Sequence, residues 1–249
     1  NYSFMRKAKL LIAAGLMLAS ALVFQSCDDD NNDVSYMWQP TALVTVCPQE
    51  DESVMLQLDN ETRLRPVNMN KSPYGKKEVR ALVNYNLEQE SASSAIQDVR
   101  VNWIDSIRTK LPVPGIGEDN AEKFGDDPID IVKDWVTIAE DGYLTLRVRT
   151  VWGPGNKPHE LNLLTGVNPD DPMEFELRHN ANGDLSGTVG DALIAFNLNE
   201  VIGDAATPVK ITLKWKSPAG DKSVEFDMSR RKVTVDSGDV SAVSSYRFM

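Results

Sequence analysis

The chain has very few of the side chains on which most catalytic and metal sites depend. It contains two histidines and two cysteines, and no HxH, HExxH or CxxC spacing is present to support a zinc site. The GxSxG motif of a nucleophilic serine is absent as well. With 37 acidic residues, carboxylate pairs arise by chance and assign no acid and base. The sequence predicts no catalytic residue, no metal and no cofactor, and we expect a protein that is not an enzyme.

Basic residues are scarce relative to acidic ones. The chain has 26 lysines and arginines and a formal net charge of −11 at pH 7. Nucleic-acid binding needs basic side chains that displace counterions from phosphates. The only compact basic run, Arg230 to Lys232, is typical of a solvated strand face. We therefore predict no nucleic-acid partner.

The cysteines, Cys27 and Cys47, lie in different contexts, and two cysteines do not make a disulfide framework. Cys47 ends the apolar run ALVTVC, which favours a buried strand residue. The alternative is a nucleophile, but its sequence neighbours include neither histidine nor a basic residue to lower the thiol pKa.

The N-terminal segment has the layout of a secretory signal. A basic run, Met5 to Lys9, precedes an uncharged apolar segment, Leu10 to Phe24. At a rise of about 1.5 Å per residue this segment spans only about 22 Å, short of a hydrocarbon core of about 30 Å. We expect residues 1–26 to form a cleaved signal peptide, with a membrane anchor or an unprocessed signal as the alternative. Its removal would change the formal charge from −11 to −14, because only Arg6, Lys7 and Lys9 are lost.

The sequence VFQSC at the end of this segment resembles a bacterial lipobox, with Ser26 before Cys27 and Phe24 where leucine is most common. Cys27 is then the first mature residue, and its acylation, with chains such as palmitate, anchors the protein to a lipid bilayer at about 0.8 kcal/mol per buried methylene. Residues 27–34 form an acidic tether. Its start, Asp28, Asp29 and Asp30, resembles the export signal of Bacteroidetes lipoproteins, and a plain spacer is the alternative. The predicted location is the outer membrane, lipid-anchored and facing the cell exterior.

Apolar side chains alternate with polar ones along most of the remaining chain, as they do in half-buried strands. The residues that share a face within each run are Val54, Leu56 and Leu58; Ala81, Val83, Tyr85 and Leu87; Val99, Val101 and Trp103; Leu144, Leu146 and Val148; Phe175 and Leu177; Ile211, Leu213 and Trp215; and Val224, Phe226 and Met228. We predict an all-β protein with Trp103 and Trp215 in its core. Only residues 191–203 fit both a strand and a helical turn.

Turn sequences separate these runs and divide the chain into two parts. LDNET, AEDGY, NANGD and SPAGDK supply Asn, Asp or Gly where a turn needs positive φ, and SPAGDK predicts a hairpin. Residues 110–128 are rich in proline, glycine and acid, which predicts an inter-domain connection. Residues 35–109 have room for five short strands and a small barrel, whereas residues 129–249 have room for seven or eight and a β-sandwich.

Several of these motifs, in this order, resemble the NigD-like lipoproteins of Bacteroidetes. They are the lipobox with its acidic tail, LQLDNETRLRP, GDDPIDI, EDGYLTLRV and ELRHNANGD. The resemblance covers nearly the whole mature chain. It implies an N-terminal OB-like barrel followed by a C-terminal β-sandwich, and it brings no established enzymatic activity, only an association of the founding member with a bacteriocin locus.

Three residues remain as candidates for a site. His179 is interpreted as a strand-end residue that binds the turn backbone, with a metal ligand or base as the alternative, and His159 as a solvated loop residue. Trp152 lies beside the loop GPGNKP, which lacks the ending of a phosphate-binding loop, and is the best candidate for an exposed platform on which a sugar ring stacks.

Two functions fit these observations. The first is a surface lipoprotein without catalysis, a two-domain binding or accessory module for an unidentified partner. The alternative is a glycan-binding or glycan-processing accessory, suggested by Trp152 and the surface location. Nucleic-acid binding through the barrel is a third class, and it rests on fold analogy alone.

Overall fold

The structure is a computed structural model that describes residues 39–88, 95–154, 157–203 and 208–231. The predicted signal peptide, Cys27 and the acidic tether lie outside these residues. Within them, the chain is nearly all β and forms a barrel followed by a β-sandwich, as the sequence predicts. No helix of the described part has the length and apolar character needed to cross a membrane.

The N-terminal domain is a closed barrel of five strands in the order β1-β2-β3-β5-β4. The strands are β1 (Ala42–Pro48), β2 (Val54–Gln57), β3 (Arg63–Pro66), β4 (Val79–Leu87) and β5 (Ile96–Ser106). All neighbours are antiparallel except β3 and β5, which run parallel. The barrel core consists of the inward side chains of these strands, among them Val44, Val46, Leu56, Leu64, Val83 and Val99.

A β-bulge changes the phase of alternation in β5. Asn84 pairs with Trp103 and Tyr85 with Val101, so Asn102 is an extra residue on one strand. After the bulge, Ile104 packs against the barrel core, while Trp103 is only half-buried. The prediction that Trp103 continues the inward face is therefore wrong, because the extra residue reverses which side chains of the strand point into the barrel. Leu87, predicted to be inward, is exposed.

The C-terminal domain is a sandwich of two five-stranded sheets. The first sheet has the order β6-β13-β10-β8, with β9 also paired to β10, and the second has the order β15-β14-β12-β11-β7. The first sheet contains β6 (Arg108–Lys110), β8 (Asp130–Val132), β9 (Ile138–Glu140), β10 (Tyr143–Trp152) and β13 (Thr188–Asn197). The second contains β7 (Val113–Pro114), β11 (Glu160–Thr165), β12 (Glu174–Asn180), β14 (Val209–Ser217) and β15 (Gly220–Met228).

Residues 110–128, predicted to connect the domains, contribute to the sandwich itself. β7 pairs in parallel with the end of β11, and a short helix, α1 (Asn120–Phe124), buries Phe124. Gly125 follows α1 with φ of +91°, and the carbonyl of His179 would lie 2.4 Å from a Cβ at this position. Gly125 thus marks a close backbone approach within a domain, although the composition of the segment resembles that of a linker.

SPAGDK forms the predicted hairpin, and AEDGY forms one as well. Asp141 and Gly142 both have positive φ and join β9 to β10, and a two-residue loop after Ser217 joins β14 to β15. The ambiguous segment 191–203 contains both predicted structures, because β13 ends at Asn197 and a short helix, α2 (Asn199–Ile202), follows.

The two faces of β10 have different neighbours. Leu144, Leu146 and Val148 point into the sandwich core, which they share with Leu163, Phe175 and Phe196. On the opposite face, Tyr143 and Thr145 are fully buried because the barrel covers this end of the sheet. A small apolar cluster of Leu43, Ile107 and Ala195 joins the domains beside them. One end of the first sheet is therefore buried on both faces.

Candidate binding site

A cleft of about 730 Å³ opens at the edge of the sandwich between its two sheets. It lies near the start of β6 and extends to the end of β10. Its lining includes Arg108, Lys110, Trp152, Lys157, His159 and Asp184. The volume is within the range of small-molecule sites in proteins. The cleft therefore contains both the predicted platform residue and one of the two histidines.

Trp152 is half-buried at the end of β10 and lies across β13. Its indole Nε1 donates a hydrogen bond of 2.9 Å to the carbonyl of Gly190. One face of the indole stacks on the His159 ring, with centroids 4.3 Å apart and planes inclined by 30°. Trp152 thus lines the cleft, but His159 already occupies one of its two faces.

The absence of a side chain at Gly190 makes room for this indole. A Cβ there would lie 2.7 Å from Trp152 Cδ1. We expect Gly190→Ala to displace the indole and to lower the free energy of unfolding by about 1–3 kcal/mol, the usual cost of overpacking. Urea denaturation would measure the loss, and the indole N–H resonance would report the broken bond to the carbonyl.

A double-mutant cycle separates this collision from other effects of the new methyl group. In a Trp152→Ala background the cost of Gly190→Ala should largely disappear. An equal cost in both backgrounds would contradict the proposed collision.

The two histidines of the chain meet behind Trp152, although 20 positions separate them. His159 Nδ1 lies 2.9 Å from His179 Nε2, and His179 Nδ1 lies 3.3 Å from the carbonyl oxygen of Pro128. The His159 side chain is only 3% exposed, so the expectation of a solvated loop residue is wrong. The ring is buried because it forms the contact between the first sheet, through Trp152, and the second, through His179.

The hydrogen bonds determine where the protons lie. A carbonyl only accepts, so His179 Nδ1 carries a hydrogen. Burial, followed by the charge of His159, lowers the pKa of His179, which favours its neutral form with Nε2 as an acceptor. His159 Nδ1 is then the donor between the rings. Both histidines are held by specific partners and are positioned as structural groups.

Asp184 completes this cluster at the floor of the cleft. Its Oδ2 accepts a hydrogen bond of 3.0 Å from the Gly153 backbone N–H and lies 3.4 Å from His159 Nε2. The latter distance suits an ion pair, but the atoms are not aligned as a hydrogen bond, and His159 Nε2 has no hydrogen-bond partner among the described residues. The Asp184 carboxylate is therefore held within the protein and is 9% exposed.

Three cations also line the cleft, namely Arg108, Lys110 and Lys157. Lys110 is partly buried, and its Nζ donates to the Leu161 carbonyl at 2.5 Å and to Asn162 Oδ1 at 2.8 Å. Burial and the nearby Arg108 guanidinium both lower the pKa of Lys110, whereas Glu160 opposes this effect. Arg108 and Lys157 are exposed. The cleft thus has a cationic wall on a chain whose net charge is strongly negative.

A second cleft, of about 740 Å³, is lined by more charged side chains, and several of them pair with one another. Arg178 binds Asp126 and Glu176 at 2.7 and 2.6 Å, and Lys216 also binds Asp126. Several of its charged groups are therefore already paired, whereas the cleft at Trp152 adds an aromatic wall, which makes it the better candidate for a ligand. Among the described residues, no group of three or more His, Cys, Asp or Glu side chains is arranged to hold a metal ion.

A second polar cluster lies buried between the barrel and the sandwich. Arg80, which is 0% exposed, donates to Glu140 at 2.5 Å, to Thr45 at 2.9 Å and to Thr145 at 3.3 Å. Burial raises the pKa of Glu140 despite this arginine. The Tyr143 hydroxyl donates to Glu78 at 2.6 Å, and burial raises its pKa. These bonds fix the two domains to one another.

Arg231, just after β15, reaches into the same interface. It donates to both carboxylate oxygens of Asp141, at 2.6 and 2.8 Å, and to Glu78 at 2.8 Å. Its Nη1 lies 2.8 Å from the Cys47 thiol. Cys47 is buried, as predicted, but it does have a basic neighbour, which comes from a distant part of the chain. Burial nevertheless raises the pKa of this thiol to about 12, which excludes a reactive thiolate near neutral pH.

Two segments of the chain match models of the NigD-like family. The family described as NigD-like N-terminal OB domain matches residues 43–107, and the one described as NigD-like C-terminal beta sandwich domain matches residues 112–228. No curated protein matches the chain.

Solved structures with the same fold come from related bacteria. A protein of Parabacteroides distasonis called toxin-related is 30% identical, with a TM-score of 0.62 over 74% of this chain and 90% of that one. A NigD-like immunity protein of Bacteroides caccae is 20% identical, with a TM-score of 0.53 over 75% and 91% of the two chains. A protein of Bacteroides fragilis called a lipoprotein is 13% identical, with a TM-score of 0.52 over 77% and 98%.

Proposed function

This chain belongs to the NigD-like family, and from that membership we propose that it is a lipid-anchored, non-catalytic binding protein on the outer membrane, facing the cell exterior. The proposal is supported by the lipobox at Cys27 and the acidic residues Asp28, Asp29 and Asp30. It is also supported by the Bacteroides fragilis protein of the same fold that is called a lipoprotein.

The observation that carries the binding function is the cleft at Trp152. It combines an apolar wall with cationic groups, as ligand sites commonly do. The two histidines and the carboxylate behind the cleft are hydrogen-bonded within the protein. His179 is hydrogen-bonded to the Pro128 carbonyl and to His159, and Asp184 accepts a hydrogen bond from the Gly153 N–H. Such groups maintain the shape of a site, which favours recognition over catalysis.

A second candidate function is that of a glycan-binding or glycan-processing accessory. Trp152 favours it, because the indole lines the cleft and sugar rings stack on indoles. Because one face of the indole stacks on His159, such a ligand would have to use the other face. A Trp152→Ala variant that retains the same polysaccharides as the parent would count against this candidate.

Acylation and exposure are tested together in a Bacteroidetes host. We expect the parent to incorporate radiolabelled palmitate, to fractionate with the outer membrane and to be degraded when intact cells are treated with protease. Cys27→Ala should lose all three properties, because two or more acyl chains are what hold such a protein on a bilayer. Cys47→Ala, which removes the buried strand cysteine, is the matched control and should behave as the parent.

The triple variant Asp28→Ala, Asp29→Ala and Asp30→Ala separates anchoring from export. It should remain acylated but become protected from the protease. Degradation equal to that of the parent would identify the acidic residues as a spacer. A parent without label would contradict the lipid anchor itself.

A further inference from the structure

The cationic wall of the Trp152 cleft lacks partners for its charges. Among the described residues, neither Arg108 nor Lys157 forms an ion pair, and Lys110 is bonded to a carbonyl and an amide oxygen. Asp184 is held by His159 and Gly153, and Glu160 offsets part of the positive charge at Lys110 without forming an ion pair with it among the described residues. Glu160 is the remaining acid of the lining.

Placing like charges together is unfavourable unless an anion joins them. The ammonium of Lys110 is held in place by Leu161 and Asn162, so it does not move away from the Arg108 guanidinium. The remainder of the chain is acidic, with a net charge of −11, so a local excess of positive charge is not a property of the whole surface. A ligand that carries a negative charge would satisfy both groups.

The lining of the cleft also includes apolar side chains. Among them are Trp152, Pro158, Leu161 and Ile194. A pyranose ring has an apolar face of C–H groups and a rim of hydroxyls, which suits a lining of this kind with polar groups at its margin. A uronic acid adds one carboxylate at the rim of such a ring. Arginine binds carboxylates through two parallel N–H groups, which makes Arg108 the better ligand of the two exposed cations.

We propose that the cleft binds a uronic-acid residue of an acidic glycan, with the carboxylate between Arg108 and Lys110 and the sugar ring against Trp152 and Pro158. This assignment rests on the binding function proposed above and names the ligand class of that site. Lys157 contributes a further positive charge at the mouth of the cleft.

The test compares two ligands with the same sugar rings, one with ionised carboxylates and one with neutral methyl esters. Isothermal titration calorimetry would use the full mature chain with Cys27→Ser, so that it is produced without lipid. The probes are trigalacturonic acid and its methyl ester. We expect the acid to bind at least about tenfold more tightly, since a charge-assisted bond to a carboxylate is lost in the ester. Arg108→Gln should weaken acid binding by a similar factor and weaken ester binding much less, because the ester offers only a neutral acceptor to the guanidinium.

Arg65→Gln is the matched control, because Arg65 is an exposed arginine of the barrel, away from the cleft. It should bind the acid as the parent does. Equal binding of acid and ester would overturn the assignment of an anionic group while leaving a glycan site in place. Binding of neither sugar, together with capture of a tripeptide that has a free C-terminal carboxylate, would assign the cleft to peptide ends. No binding of any probe would overturn the uronic-acid assignment, whereas the acylation and protease experiments would still test the anchored surface protein.

Discussion

Replacing Arg80 by methionine is expected to lower the free energy of unfolding by about 3–5 kcal/mol at pH 7, the range found when one partner of a buried ion pair is removed. Arg80 is fully buried, and its partner Glu140 is 18% exposed. Without the guanidinium, the Glu140 carboxylate must stay charged without its partner or take up a proton. Thr45 and Thr145 also lose their donor.

The loss should become smaller as the pH is lowered. Burial raises the pKa of Glu140 in the folded protein, so between the ordinary value of 4.5 and the raised one the folded state binds more protons than the unfolded state. Stability from this group therefore decreases as the pH rises through that window. Removing Arg80 removes the charge that opposes this shift, and the deficit of Arg80→Met should be larger at pH 7 than at about pH 4.5.

Two comparisons make this result specific. Arg65→Met removes an exposed arginine whose bond to Asp98 is also exposed, and it should cost at most about 1 kcal/mol. The double variant Arg80→Met and Glu140→Leu replaces both charges and should recover much of the stability, as buried pairs often do when both members become apolar. Urea denaturation at the two pH values measures all three. A loss below 1 kcal/mol for Arg80→Met would show that the interface does not depend on this pair.

The second large effect concerns Arg231. Arg231→Ala is expected to cost about 2–3 kcal/mol, less than the Arg80 variant because the Arg231 side chain is 26% exposed and partly screened. Its removal leaves the Asp141 carboxylate, which is 1% exposed, without its two-fold bond. Burial already raises the pKa of Asp141, so part of the cost is the uptake of a proton.

Arg231→Lys should restore only part of the loss, because an ammonium does not reproduce the paired N–H geometry of a guanidinium. Lys210→Ala, which removes an exposed partner of Glu225, is the control and should leave the stability close to that of the parent. Chemical denaturation of the three variants measures the effect. If Arg231→Lys were as stable as the parent, the interaction with Asp141 would depend on charge and not on the paired N–H geometry.

The sequence predicted which residues share a strand face, but not what covers that face. Leu144, Leu146 and Val148 were correctly assigned to the core. Thr145 and Arg80 lie on polar faces that alternation assigns to solvent, yet both are buried because another domain packs there. The alternation of apolar and polar residues shows which side chains of one strand share a face. Whether another element covers the polar face depends on tertiary packing.

The bulge at Asn102 shows a second limit. No glycine or proline marks it, so nothing in DVRVNW indicates that Trp103 leaves the inward series. The cleft shows a third. The sequence indicates Trp152 as a platform, but it predicts a solvated His159 and places Arg108 at the end of the barrel and Lys110 at the start of a connection. They reach the cleft because β6 pairs with β13, a contact between residues more than 80 positions apart.

The buried bonds between the domains also constrain how such proteins diverge. A chain that replaced Arg80 alone would leave the Glu140 carboxylate without its ion-pair partner. A chain that replaced Arg231 alone would do the same to Asp141. Neither domain is therefore expected to recombine freely with a different partner. Across NigD-like sequences, each of these two pairs should be retained, or lost together, so that the barrel and the sandwich are inherited as one unit.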